Sequence, residues 1–225
     1  MATSGTATFD LDLNNIVEEA FERCGTELRT GYDLRTARRS LNLLTIEWAN
    51  RGINLWTIEE GSVALTSGTA TYDLPADTID LLDHVIRTGT GTSQSDLSIT
   101  RISVSTYASI PNKNVQGRPV QLWIDRAAAT PQANVWPVPD GDYTLSYWRM
   151  RRIQDAGNGA TTQDIPFRML PCLVAGLAYY LALKIPEAMN RIEMLKTSYE
   201  EQWMLASSED REKASLRLAP REFFY

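Results

Sequence analysis

The hydrophobic period of this chain changes twice, from 3.6 residues to two near Leu55 and back to 3.6 after Arg152. Such a chain carries helices at both ends and short strands between them. The fold class is therefore α+β, with a β domain inserted between two parts of one helical domain. At the N-terminal end, Leu13, Ile16, Val17, Ala20, Phe21 and Cys24 form one helical stripe, opened by Asp12 as N-cap and closed by Gly25. A second stripe, Leu34, Ala37, Leu41, Leu44 and Trp48, follows Asp33 as N-cap and ends at Gly52. The two helices are expected to form a hairpin.

Between Leu55 and Arg152, alternating β-branched and aromatic residues predict strands over Leu55–Glu59, Ser62–Leu65, Thr69–Leu74, Ile79–Thr88, Leu97–Arg101, Val120–Asp125, Asn134–Pro137 and Tyr143–Arg151. Turns are signalled at Glu60-Gly61, Ser67-Gly68 and Asp140-Gly141, an exposed loop at Gly89–Ser95 and a short helix at Ser103–Ile110. Short antiparallel strands at this spacing make a sandwich or barrel. A flexible stretch, Ala156–Ala160, precedes a helix from Pro166 to about Lys184 that is apolar on nearly every side and hence central. Pro186 starts a last helix with the stripe Met189, Ile192, Leu195, Tyr199, Trp203 and Ala206, and the charged run after Ser208 has nothing to anchor it to a core. The expected organisation is a helical hairpin over 1–53, an inserted β domain over 54–159, C-terminal helices over 160–208 that complete a four-helix-type bundle, and an extended tail over 209–225.

Thr3–Leu11 recurs as Thr66–Leu74, differing only in Phe9 against Tyr72. Two copies do not make a solenoid. The repeat reads either as convergence on a turn-then-strand pattern or as an edge strand added to a sheet of this chain or a neighbouring subunit.

Chemistry is sparse. His84 is the single histidine, near Asp80 and Asp83, with Asp80 and His84 expected on one side of a strand and Asp83 on the other. That supplies too few ligands for zinc. No P-loop and no G-x-S-x-G elbow occurs, and the acidic pairs Glu18-Glu19, Glu59-Glu60 and Glu200-Glu201 read as solvated faces rather than a glycosidase dyad. No cofactor, metal or catalytic role is expected. Cys24 and Cys172 read as buried hydrophobes in a reducing compartment. The apolar run Met169–Leu183 is shorter than the ~20 residues of a membrane span, and the first residues lack the basic and apolar regions of an export signal. A net charge of −6 argues against tight binding of nucleic acid through its phosphates.

What remains is a set of surfaces. Leu43 and Ile46 fall off the core stripe of the second helix, beside Arg39, and read either as a broad buried face or as a contact with a neighbouring subunit. Basic residues are 18 Arg to four Lys, and Arg suits bidentate contacts at interfaces. In Arg149-Met150-Arg151-Arg152 the arginines Arg149, Arg151 and Arg152 are expected to meet carboxylates across a subunit boundary, the alternative being a solvated strand end. The last residues, Leu216–Tyr225, end in three aromatics and read either as an end lying back on its own domain or as a docking peptide that orders on a partner.

The order of parts resembles the head-to-tail adaptor family of short-tailed bacteriophages, also called tail tubular protein A. The resemblance rests on Ile16–Gly25, on Ala37–Trp48, on Val135-Trp136-Pro137-Val138-Pro139 leading into Tyr143–Trp148, and on the C-terminal helix pair. It implies a structural virion protein without enzymatic activity, a homo-oligomeric ring that is twelve-fold in such adaptors, and a place in the virion neck after assembly in the host cytoplasm. Its implied partners are the portal protein above and the nozzle protein and tail fibres below, with double-stranded DNA crossing the lumen unbound and no membrane contact. It also implies that Arg217, Leu218, Arg221, Phe223, Phe224 and Tyr225 reach the portal. Two other readings stand beside it: a head-completion protein of a long-tailed phage, and a carbohydrate-binding module or cell-wall enzyme built on the β domain.

Overall fold

The computed structural model describes residues 4–29, 31–53, 55–127 and 129–211. The chain divides into two compact units, Met1–Leu55 with Gln154–Tyr225, and Trp56–Ile153. The fold is α+β, as expected.

In the first unit, α1 (Leu13–Cys24) begins where Asp12 Oδ1 accepts the Asn15 N–H at 2.8 Å and ends at Gly25, whose φ of 80° only glycine adopts freely. All six residues of its stripe are buried. The next helix, α2 (Gly31–Arg51), starts two residues before the expected cap: Asp33 lies in its first turn, where the carboxylate favours the positive helix end and accepts the Arg29 N–H. Its core stripe is Ala37, Leu41, Leu44 and Trp48, with Ser40 and Thr45 beside it.

The helix expected from Pro166 divides into a single 3-10 turn, Phe167–Met169, and α4 (Leu170–Ala182), with the short α3 (Val104–Ser109) lying earlier in the β unit. Ten of the thirteen α4 residues are buried, and α1, α2 and a last helix, α5 (Ile192–Glu209), all pack on it. Gly176 permits the closest approach: a Cβ there would lie 2.9 Å from both Leu44 methyls and the Tyr199 ring. Pro186–Arg191 is 3-10 rather than α-helical, so Met189 does not share the phase of the α5 stripe and stays exposed, while Leu195, Tyr199 and Ala206 are buried.

Two boundaries differ from expectation. The stretch Ala156–Ala160 is stitched to the helices: the Ala156 N–H donates to Asn42 Oδ1 at 2.8 Å, Arg38 donates to the Ala156 carbonyl, and the Asn14 N–H donates to the Gly159 carbonyl. The helical unit therefore resumes at Gln154, six residues before position 160. After Ser208, α5 continues to Glu209, and the Asp210 carboxylate accepts the Leu55 N–H at 3.3 Å, so the charged run is anchored at its start.

The second unit holds two four-stranded sheets, ordered β1-β8-β3-β4 and β2-β7-β6-β5, rather than one closed barrel. Their strands are β1 (Ile58–Leu65), β2 (Thr71–Asp73), β3 (Thr78–Thr88), β4 (Ser95–Ser98), β5 (Thr100–Arg101), β6 (Gln121–Asp125), β7 (Gln132–Trp136) and β8 (Tyr143–Arg151). Both sheets supply the core, with Leu65, Leu81, Ile86, Leu145 and Tyr147 from the first and Tyr72, Leu122, Ile124, Ala133 and Val135 from the second. The segment predicted as one strand over Leu97–Arg101 changes sheet at the buried Ile99. Because α3 lies between β5 and β6, that pair is parallel, the one departure from the expected antiparallel pattern among the described strands.

The Glu60-Gly61 turn is absent, since β1 runs straight through it, and the first three residues of the predicted Leu55–Glu59 strand form a 3-10 turn instead. Gly61 is needed for a different reason. It stands opposite Tyr147, and a Cβ there would meet the Tyr147 ring at 2.6 Å. As Tyr147 is buried, Gly61→Ala is expected to lose about 1–3 kcal/mol by overpacking, read from urea unfolding.

In β3, register shifts at Ile79 and Leu82 break the period of two. His84 pairs with Tyr147, whereas Asp80 pairs with Met150 and Asp83 with Trp148, so the two aspartates share the face opposite His84. Ser67-Gly68 makes the expected turn, with Gly68 at φ 84°, and the Tyr72 hydroxyl donates to the Thr69 carbonyl to fasten it. In the first copy of the repeat, Gly5 is also left-handed, but Phe9 lacks that hydroxyl and residues 4–11 form no strand.

Candidate functional site

The titratable groups of the described residues form no reactive centre. Burial holds His84 below the ordinary imidazole range, and the side chain stands on the core face of its sheet. Among the described residues no three of His, Cys, Asp and Glu gather as a metal could require. Burial pushes the Cys24 thiol up to about 11 and the Cys172 thiol up to about 12, which leaves both protonated and inert. No helix of the described residues is long and apolar enough to cross a membrane.

The arginine cluster at the end of β8 is resolved within its own unit. Arg149 donates to Asp77 Oδ1 at 2.6 Å, to Thr78 Oγ1 at 3.0 Å and to Glu59 Oε2 at 3.0 Å, and Arg151 pairs with Glu59. Their carboxylates come from β1 and from the turn before β3, so Arg149 and Arg151 do not need a neighbouring subunit; Arg152 is exposed. The hydrogen bond from Arg149 holds the Asp77 carboxyl below its ordinary value. A carboxyl lowered on folding stabilises above its unfolded pKa and loses that contribution as pH falls through the folded one. Asp77→Asn is therefore expected to be less stable at neutral pH and to lose less stability on acidification than the parent, measured by urea titration between pH 7 and pH 2.

The helical unit has a polar network that periodicity did not reveal. Glu47 accepts from the Tyr180 hydroxyl and ion-pairs with Arg51 at 2.7 Å, Arg51 reaches Glu200 at 3.2 Å, and Trp48 Nε1 donates to the Tyr199 hydroxyl at 3.1 Å. Burial, then the bond to Glu47, pushes the Tyr180 hydroxyl up to about 12. The network ties α2, α4 and α5 together. Only the i,i+4 pair Glu47 and Arg51 could have suggested it from sequence.

Among the described residues of the helical unit, two outward surfaces combine apolar and charged side chains. On α2, Tyr32, Arg35, Arg39, Leu43, Ile46 and Asn50 are all exposed and recur at intervals of three and four, opposite the buried stripe. Leu43 is 51% and Ile46 49% accessible, so the broad-buried-face reading does not describe this chain. The second surface is a groove of about 630 Å³ lined by Phe9, Leu11, Phe167, Leu170 and Val174, with Glu18, Glu19 and Glu22 on its α1 side. Phe9 is 77% and Phe167 72% accessible. Neither phenylalanine belongs to a periodic stripe, so no sequence pattern announces this groove. The tail residues Arg217, Leu218, Arg221, Phe223, Phe224 and Tyr225 lie outside the described residues.

Arginines paired within their own unit, protonated thiols and open apolar faces make surfaces the most prominent feature of the described residues. A family model described as SU10 adaptor protein matches residues 12–221. The chain belongs to that family, one of phage head-to-tail adaptors, in agreement with the resemblance read from the sequence. No curated protein matches the chain. Family membership makes it a structural protein of the phage neck or tail that works with portal and tail components.

Proposed function

We propose that copies of this chain close a ring, twelve-fold as in similar adaptors, which seats beneath the portal and carries the tail nozzle. DNA crosses its lumen. Assembly takes place in the host cytoplasm. In this reading the helical unit acts as a four-helix-type bundle, the two sheets as a sandwich, and Arg39, Leu43 and Ile46, with Arg152, contribute to contacts between subunits. The observation that carries it is the α2 surface: a long helix that buries Ala37, Leu41, Leu44 and Trp48 on one side and shows Tyr32, Leu43 and Ile46 on the other, over about 21 Å. The −6 charge supports a conduit, because a wall that neutralised many phosphates would retain the genome.

The tail Arg217–Tyr225 is the portal anchor in this account. Because Asp210 is bonded to Leu55, the informative truncation follows Arg211 rather than Ser208. Removing 212–225 is expected to leave the melting temperature nearly unchanged and to abolish co-sedimentation with portal rings of the same phage. A truncated chain that binds the portal as tightly as the full chain would overturn the anchor.

A further inference from the structure

The α2 stripe and the α1 groove are complementary in charge as well as in hydrophobicity. In the groove, Glu19 pairs with Arg23 at 2.9 Å, whereas Glu18 and Glu22 form no ion pair among the described residues. On α2, Arg38 donates to the Ala156 carbonyl, whereas Arg35 and Arg39 are exposed and form no ion pair among the described residues. Lys184 lies close enough to Arg39 for their charges to repel, and its Nζ donates to Ser40 Oγ at 2.7 Å, which extends the positive patch.

The spacing matches too. Glu18 and Glu22 are separated by one helical turn, as are Arg35 and Arg39, so each pair presents two like charges about 6 Å apart. Next to the acidic pair are the open rings of Phe9 and Phe167, and next to the basic pair are Leu43, Ile46 and Tyr32. Each surface has what the other lacks.

We propose that the groove of one subunit receives the α2 stripe of the next, with Glu18 and Glu22 facing Arg35 and Arg39 and the apolar residues covered beside them. The occupant is a second copy of this chain. Because the two surfaces are different, the contact is heterologous, and repetition of one such contact closes a ring when the rotation allows. This rests on the ring reading above and adds to it which faces meet.

Charge reversal tests the pairing without touching the core, since all four residues are exposed. One variant carries Glu18→Arg and Glu22→Arg, a second carries Arg35→Glu and Arg39→Glu, and a third carries all four changes. Each is checked for an unchanged melting temperature and then sedimented with portal rings. The first two alone are expected to lose the ring. Mixed together they regain it, since every junction then joins opposite charges, and the third regains it alone. Rings from either of the first two variants alone, or failure of both the mixture and the third, would overturn the contact while leaving the adaptor reading intact. A parent chain that forms no ring on the portal would overturn the ring reading and this contact with it.

Discussion

Leu43→Asp is expected to leave the folded monomer intact and to abolish ring closure. In the monomer, Leu43 is half-exposed on the side of α2 away from Leu41, Leu44 and Trp48, so an aspartate there remains solvated and changes stability by no more than about 0.5 kcal/mol. At a subunit contact the same carboxylate must lose water beside apolar groups, and removal of about 3 kcal/mol per contact weakens association about a hundredfold. A ring repeats the loss at every junction, so the assembled fraction should collapse rather than decline. Thermal unfolding together with sedimentation velocity on portal rings separates the two effects. A melting temperature lowered by many degrees would place Leu43 in the core.

Trp48→Ala produces the opposite result, a loss of stability in the helical unit itself. Trp48 is fully buried, its ring lies against Trp203 with centroids 6.0 Å apart, and its Nε1–H donates to the Tyr199 hydroxyl. Truncation leaves a cavity of indole size and removes that donor, for an expected loss of about 3–5 kcal/mol in urea unfolding. Trp48→Phe keeps most of the volume and removes the donor with part of the indole, at about 1–2 kcal/mol. Equal losses for the two variants would mean that the hydrogen bond, rather than packing, dominates at this position.

The helical parts of this fold were legible because burial writes a 3.6-residue period directly into the order of residues. The stripe from Leu13 to Cys24 is buried at every position named for it, and Leu43 and Ile46 are exposed where their phase places them. The β unit was legible in strand content but not in detail. Gly61 resembles a turn residue, yet its role is to leave room for Tyr147, a partner 86 positions away. Arg149 finds Asp77 across 72 positions, and no local pattern announces such a pair. The strand that changes sheets at Ile99 reads locally as one strand because the alternation continues through the crossing. For the assembly surfaces, the α2 stripe could be read from periodicity, whereas the groove could not, since Phe9, Phe167 and the α1 glutamates meet only after α1 and α4 have packed.

If this chain closes into a ring on the portal, electron microscopy of the full chain mixed with portal rings will show it. The expected images show a closed ring of twelve copies, coaxial with the portal and open at its centre. Portal rings that remain bare beside a monomeric chain, or copies that add as an open filament, would contradict it.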